Sequence, residues 1–449
     1  MLKESIIKIF KIYIKIFVIL IFTLTSIYSQ EPKGWTVAVY MEDSDGSLAY
    51  WKDRNLNAMA AANFNSKNLN LITQVHASHE IISRYNICDN KINLINTGNF
   101  IQQDSSQNVI NFMQFIKDNY PAKHYALIMW NHGFGILDPK HKPTLEDEFA
   151  WDVEPDEPGV ICVDGVCPIK NINNNLISEN LNHVNHRYLH RGFMFNSNKS
   201  FINNAQMVRA FKEIKEKVLG NKLDILGTDC CKMSMLEVAY QIKDYANYLV
   251  GSQNCELIDG WNYNGLFNNF NKDNITPVEV LSFITQSYSD YYKQNTKENS
   301  YTLSAIDLSK INNLVNNFND IIVTCKSSML KHKQEFSKLI FDARENSLHM
   351  CSSSYYRDLG SFYLNLLESI CKLELDGACA QCAKDLKILL IKGLEILKET
   401  IVYNVTGENV KSMQGLAFYF PRNKIDESYL NIVFAKETEW VSFLQNIIN

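Results

Sequence analysis

Leu223-Asp224-Ile225-Leu226-Gly227-Thr228-Asp229-Cys230-Cys231-Lys232-Met233 is an apolar run that halts at polar residues and cysteine, and Ser234 to Tyr240 carries it on in a helical pattern. The run reads as a short strand followed by an amphipathic helix. A thiol set where a strand gives way to a helix stands near the positive end of the helix dipole, which favours the reactive thiolate. A second strand ending in a polar turn comes earlier: Tyr125-Ala126-Leu127-Ile128-Met129-Trp130, then Asn131-His132-Gly133-Phe134-Gly135. If the two strands are parallel neighbours, their carboxyl ends bring His132 beside Cys231, on the sheet edge where open α/β folds place their sites. A histidine and a cysteine so placed form an acid/base group and a nucleophile.

The remainder of the chain bounds that reading. Its 449 residues, 46% of them hydrophobic, suffice for a large core and, by length alone, for about two to three domains. A net charge of −5 and a pI of about 6.1, with no basic stripe, argue against a nucleic-acid partner. At the start, Lys3, Lys8, Lys11 and Lys15 precede the apolar run Ile16–Phe22, and Thr23–Ser29 leads to Glu31-Pro32-Lys33. That pattern predicts a signal peptide over residues 1–30, cut near Ser29 or Gln30, and an exported body; left uncut, it would be a membrane anchor. Outside the cell the 11 cysteines can oxidise, and the odd count leaves at least one unpaired thiol if the rest pair, with Cys231 the candidate for it. Cys162 and Cys167 bracket a short loop. Cys371, Cys379 and Cys382 crowd together, and Cys379-Ala380-Gln381-Cys382 has redox spacing inside helix-like sequence. A local disulfide or buried thiols is the expectation there, with a thiol–disulfide enzyme as the rival reading.

In chain order, Trp35–Met41 is β-rich and Glu42–Ser47 a polar turn. Asp43, Asp45 and Gly46 hint at a calcium loop, but the spacing breaks at Leu48-Ala49-Tyr50-Trp51, so a strand-to-helix turn is expected. A helix over 48–62, a strand over Leu69–Val75, a hairpin over Ile81–Ile87 and Lys91–Ile95, and a helix over Val109–Ile116 lead to the histidine strand. An irregular insert follows to the helix at 204–217. It holds Glu146, Asp147, Glu148, Asp152, Glu154, Asp156 and Glu157, read as a solvated acidic loop rather than a calcium site. His183, His186 and His190 share a helix face in it, but no carboxylate or thiol joins them, so no metal site is assigned. After the cysteine come a helix at 233–245, strands Tyr248–Ser252 and Thr302–Asp307, helices at 277–292, 308–328 and 335–345, a helical region at 355–400, and a strand at Gly415–Phe420. Alternating strands and helices imply an α/β fold with a mostly parallel sheet flanked by helices.

These pieces, in this order, resemble the clostripain family of cysteine peptidases, relatives of caspases, legumains and gingipains. The resemblance rests on Trp35–Met41, Trp130-Asn131-His132-Gly133, Asp229-Cys230-Cys231-Lys232-Met233 with Glu237-Val238-Ala239-Tyr240, and Tyr248–Ser252. It continues through Asp259-Gly260-Trp261, Leu303–Leu308, Gly415–Pro421 and Phe434-Ala435-Lys436 with Trp440 and Phe443-Leu444. It implies a caspase-like catalytic domain over 34–310 with the insert at about 136–203, and a mainly helical C-terminal region over 311–449 that contributes the strand at 415–420. It makes His132 the base and Cys231, six residues ahead of Glu237, the nucleophile, with the Gly133 and Cys231 amides as oxyanion donors. Cys230 and Lys232 depart from the family pattern, which has alanine and an apolar residue there. Relatives cut after arginine or lysine with acidic pocket residues, and Asp229 and Asp259 stand at those positions. As a helix N-cap and a turn residue, the same two fit local structural roles equally well. The resemblance also implies maturation by cleavage in the insert, where Lys140, Lys142, Lys170, Arg187 and Arg191 are candidates, and it allows a calcium requirement that the chain's own residues do not demonstrate. Substrates would be proteins or peptides with a basic residue before the scissile bond (P1). The alternative in a different class is an inactive relative that serves as a surface interaction module.

Overall fold

The computed structural model describes residues 32–77, 81–99, 101, 104–138, 194, 201–295, 299–330, 332–350, 353–372 and 378–448. The signal segment, the acidic run at 146–157, His183, His186 and His190, Cys162 and Cys167, and all five candidate cleavage residues lie outside the described residues.

The described strands are β1 (Lys33–Glu42), β2 (Leu69–His76), β3 (Ile81–Cys88), β4 (Lys91–Asn99), β5 (Ala122–Trp130), β6 (Leu223–Asp229), β7 (Ala246–Gly251), β8 (Thr302–Asp307), β9 (His349–Met350), β10 (Ser353–Asp358), β11 (Ile401–Thr406) and β12 (Ala417–Tyr419). Nine of them form one sheet in the order β11-β8-β7-β6-β5-β1-β2-β3-β4. Its centre, from β7 to β2, is parallel. Antiparallel strands close both sides: β8 and β11 on one, the β3–β4 hairpin on the other. The central strands are apolar throughout because both faces are covered. Side chains alternate across the sheet. Thus Val37, Val39, Ile128 and Val250 pack under the helices Ala49–Ala60 and Pro277–Asn295. Ala38, Tyr40, Leu127, Met129 and Leu249 meet Ser105–Asn119, Leu236–Ile242 and Ile311–Met329 on the other face. Each such aliphatic side chain contributes about 1.5–3 kcal/mol on burial.

The C-terminal region departs from the sequence reading in two places. Within the expected helical stretch at 355–400, Ser353–Asp358 is a strand, and the helices are Leu359–Cys371 and Ala378–Thr400. Beyond it β11 joins the edge of the main sheet, while β12 pairs with β10 in a separate three-stranded sheet. The polar Ser-Ser-Tyr-Tyr-Arg-Asp of β10 hides its strand character, because its core-facing residues include Arg357 and Asp358, both buried. Their partners are remote in sequence: Asp358 Oδ2 accepts from Gln253 Nε2 at 2.6 Å and from the Gln414 amide at 2.7 Å.

Glu237 fastens this region to the N-terminal half of the chain. Fully buried on the helix after the cysteine turn, it accepts the Tyr419 amide at 2.8 Å and the Tyr429 hydroxyl at 3.1 Å. Burial pushes its carboxyl from the usual 4.5 up to about 7 against those hydrogen bonds, with Tyr356 also facing it. A carboxyl whose folded pKa is raised stabilises fully below the unfolded value and loses that stability as pH rises through the folded one. The wild type should therefore lose roughly 3 kcal/mol more than Glu237→Gln between pH 5 and pH 8. Urea unfolding of both proteins at the two pH values checks this, and equal losses would remove Glu237 as the cause.

Candidate active site

Strand register decides what the site brings together. In the parallel β5–β6 pair, Trp130 stands opposite Asp229. Two residues further along each chain lie His132 and Cys231, both half-buried. The turns that carry them are packed backbone to backbone: a Cβ on Gly133 would fall 2.2 Å from the Cys231 carbonyl oxygen and 2.9 Å from its nitrogen. The end of β1 is the third wall. Asn131 Nδ2 donates to the Glu42 carbonyl, and Ser47 Oγ lies 3.5 Å from His132 Nε2. β1 leads to β2 on one side and has β5 on the other, so the turns sit where the strand order reverses, the usual crevice of an open α/β sheet.

The two adjacent cysteines have different surroundings. Cys230 is buried, its Sγ donating to the Met129 carbonyl at 3.3 Å, and burial together with the nearby Asp229 pushes its thiol well above the ordinary value. Cys231 is half-buried, and its Sγ accepts the Glu256 amide at 3.2 Å. The expected helix dipole at Cys231 is not there. Residues 231–235 form a turn and the helix begins only at Leu236, because Lys232 takes a left-handed φ of 59° and Ser234 pairs with Ser252. A backbone N–H, not a helix terminus, faces the sulfur.

Contacts remote in sequence hold both turns. Tyr356 of β10 donates to the Phe134 carbonyl at 2.8 Å and accepts the Leu137 amide at 3.3 Å. Asn204 binds the Ile136 carbonyl and Asp138. Ser234 Oγ donates to the Gly415 carbonyl at 2.7 Å, and Lys232 N–H to Asn254 O at 2.9 Å. None of these partners was legible beforehand, since each is an ordinary polar residue until the topology supplies its neighbour.

Among the carboxylates, Asp229 is buried at the end of β6 and caps no helix. Its Oδ2 accepts the Tyr263 hydroxyl at 2.7 Å and the Trp261 amide at 3.2 Å, and burial pushes it to about 7 despite them. Asp259 lies in the following loop, in an ion pair with Arg54 at 2.7 Å and accepting from Tyr291. Glu256, passed over in the sequence, reaches the same buried region as Asp229, which acts on it electrostatically.

A model of the clostripain family matches residues 39–157 and 185–446. The chain belongs to the clostripain family. As a member it is a cysteine peptidase, acting on protein or peptide substrates. Solved C11 cysteine proteases share its fold. A secreted one from Bacteroides thetaiotaomicron is 15% identical over 92% of this chain and 100% of its own, with a TM-score of 0.60. The same organism's secreted C11 protease bound to an irreversible peptide inhibitor gives 15%, 92%, 99% and 0.59. An inactive zymogen C11 protease from Parabacteroides distasonis gives 15%, 91%, 99% and 0.55. No curated protein matches the chain.

In this clostripain-family chain the described cysteines are of both kinds, bridged and unbridged. Among the described residues, Cys88, Cys230, Cys325, Cys371 and Cys382 lie outside any disulfide, so Cys371 and Cys382 form no local bridge, whereas Cys255 is disulfide-bonded. Cys382 lies within the helix Ala378–Thr400, away from any strand–turn–helix frame that redox dithiols use. Among the described residues, no group of three or more histidine, cysteine, aspartate or glutamate side chains is placed to hold a metal. Asp43 and Asp45 do not converge as calcium ligands: Asp43 accepts the Leu48 amide and pairs with Lys52, and Asp45 accepts from Ser47. No described helix is long and apolar enough to cross a membrane.

Proposed function

We propose that the chain is a secreted endopeptidase that cuts after arginine or lysine with a Cys231/His132 dyad. The observation that carries it is the β5–β6 register, which sets the two catalytic turns side by side with Gly133 against the Cys231 backbone. The Cys231 thiolate attacks the scissile carbonyl, His132 protonates the leaving amine, and the same imidazole then activates water to release the acyl group. The amides of Gly133 and Cys231 hold the oxyanion, a contribution of about 3 kcal/mol for each such donor. Asp229 and Asp259 supply the negative field for a basic P1 side chain. Asp229 acts from within the buried wall and Asp259 from its pair with Arg54. Export follows from the lysine-led apolar run before Glu31.

Purified, matured protein should cleave arginyl and lysyl reporters and leave leucyl ones nearly untouched. Asp229→Asn should lower kcat/KM on the basic reporters about 100-fold, as loss of one partner from a buried charge pair does. Equal turnover of leucyl and arginyl reporters by the wild type would sink the P1 assignment.

A further inference from the structure

Beside the Cys231 thiol the chain buries a carboxylate that faces a second buried carboxylate. The Glu256 amide is bonded to Cys231 Sγ, so its side chain leaves the backbone next to the nucleophile. Both carboxylate oxygens are buried, and the hydrogen-bond donors acting on them are the Tyr288 and Ser252 hydroxyls. The groups acting on the two acids are themselves acids, hydroxyls and an amide: Asp229, Tyr288 and Ser252 on Glu256, and Tyr263 and the Trp261 N–H on Asp229. Burial first, and Asp229 second, hold the Glu256 carboxyl well above the usual carboxylate range. Two buried carboxylates facing each other are costly unless a cation joins them.

Arg54, the cation paired with the neighbouring Asp259, is committed there. Arg54 Nη1 lies 2.7 Å from Asp259, its Nη2 donates to Tyr291, and the guanidinium stacks over Trp51 and Tyr291 at 5.4 and 5.8 Å. Asp259 is thereby neutralised, while Asp229 and Glu256 are not.

We propose that Glu256 acts with Asp229 as the charge-reading pair for the P1 side chain, and that arginine is preferred to lysine there. This rests on the basic-P1 reading and assigns its specificity to a residue outside the two recognised pocket positions. A guanidinium offers a planar fork of donors that can serve two carboxylates together, whereas an ammonium is a point charge. Asp259 then shapes the wall through Arg54.

The test compares full-length matured protein on three otherwise identical peptides with arginine, lysine or citrulline at P1, citrulline being the uncharged shape-mimic of arginine. Alkylation of Cys231 by iodoacetamide, located by mass spectrometry, reports whether the site is assembled in each variant. The wild type should favour arginine over citrulline strongly. Glu256→Gln should lower that ratio about 100-fold, mainly through KM, and bring the arginine-to-lysine ratio towards unity. Should Glu256→Gln fail to fold, Glu256→Asp decides, since withdrawing the carboxylate by one methylene should still lower the arginine-to-citrulline ratio about 10-fold. A wild type indifferent to citrulline defeats the basic-P1 reading itself. A discriminating wild type whose Glu256 variants discriminate equally well overturns the role of Glu256 alone.

Discussion

Cys231→Ala should abolish cleavage of arginyl and lysyl reporters, a loss of about a millionfold in kcat if the side chain is the nucleophile, while Cys230→Ala should keep activity within a few-fold of wild type. The two sulfurs are one residue apart, so the contrast tests placement rather than composition. Cys230 points into the core and gives its proton direction to the Met129 carbonyl, in surroundings that oppose ionisation. Its loss removes a small buried group and should cost about 1 kcal/mol of stability. Cys231 is reachable and receives the Glu256 amide, an arrangement that supports a thiolate. His132→Ala should match Cys231→Ala on the reporters. Both measurements are simple: kcat/KM for the four proteins, and the position of a single iodoacetamide label. Activity in Cys231→Ala, or a label on Cys230, would reassign the nucleophile.

The parallel centre of the sheet was legible because its strands carry unbroken apolar runs that end in abrupt polar turns. Trp35–Met41, Tyr125–Trp130 and Leu223–Thr228 all lie within β1, β5 and β6. The hairpin expected over Ile81–Ile87 and Lys91–Ile95 is β3 and β4, turning through Asp89 and Asn90, which both adopt positive φ. Short strands in polar sequence were not legible. β10 pairs through Arg357 and Asp358, and β12 spans three residues, too few for a period-2 pattern to register. The helix after Cys231 illustrates a further limit. Its apolar spacing suggested a start at 233, but Ser234 bonds to Ser252 and Gly415, and the bridge between Met235 and Ala417 keeps the chain extended up to Leu236. Tertiary pairing overrode local preference there, and with it went the dipole rationale for the thiol. At the site, residue types and order pointed to His132 and Cys231. The state of each carboxylate could not be read, because the Arg54–Asp259 pair and the buried Glu256–Asp229 pair join residues that only the folded chain makes neighbours.

The C-terminal region is bonded to both of the turns that carry His132 and Cys231. Tyr356 fixes the histidine turn, Gly415 receives Ser234 from the cysteine turn, and Gln253, one loop before Glu256, is tied to Asp358 and Gly415. The two halves therefore set one geometry between them. A displacement of β10 or of the 414–420 segment would reach both turns.

The second large effect is expected at Gly133, where Gly133→Ala should cut kcat by about 100-fold or more. An added methyl would sit 2.2 Å from the Cys231 carbonyl oxygen, 2.8 Å from Cys230 Cβ and 2.9 Å from the Cys231 amide nitrogen. Two of the three obstacles are main-chain atoms at the end of a buried strand, so no rotamer change relieves the contact. The turns must part, and an overpacked interior position of this kind costs about 1–3 kcal/mol. Because Asp229, Tyr263 and Trp261 are joined to one another on the far side of Cys231, recognition of the P1 side chain should suffer less than the chemistry. The loss should then fall on kcat more than on KM. Gly34→Ala is the matched control, since its added carbon would meet only the Asn68 carbonyl at 3.4 Å; it should leave both constants within a few-fold. If Gly133→Ala keeps wild-type kcat while folding normally, the two turns are not in the contact that places imidazole against sulfur, and the dyad would have to be sought elsewhere on the sheet edge.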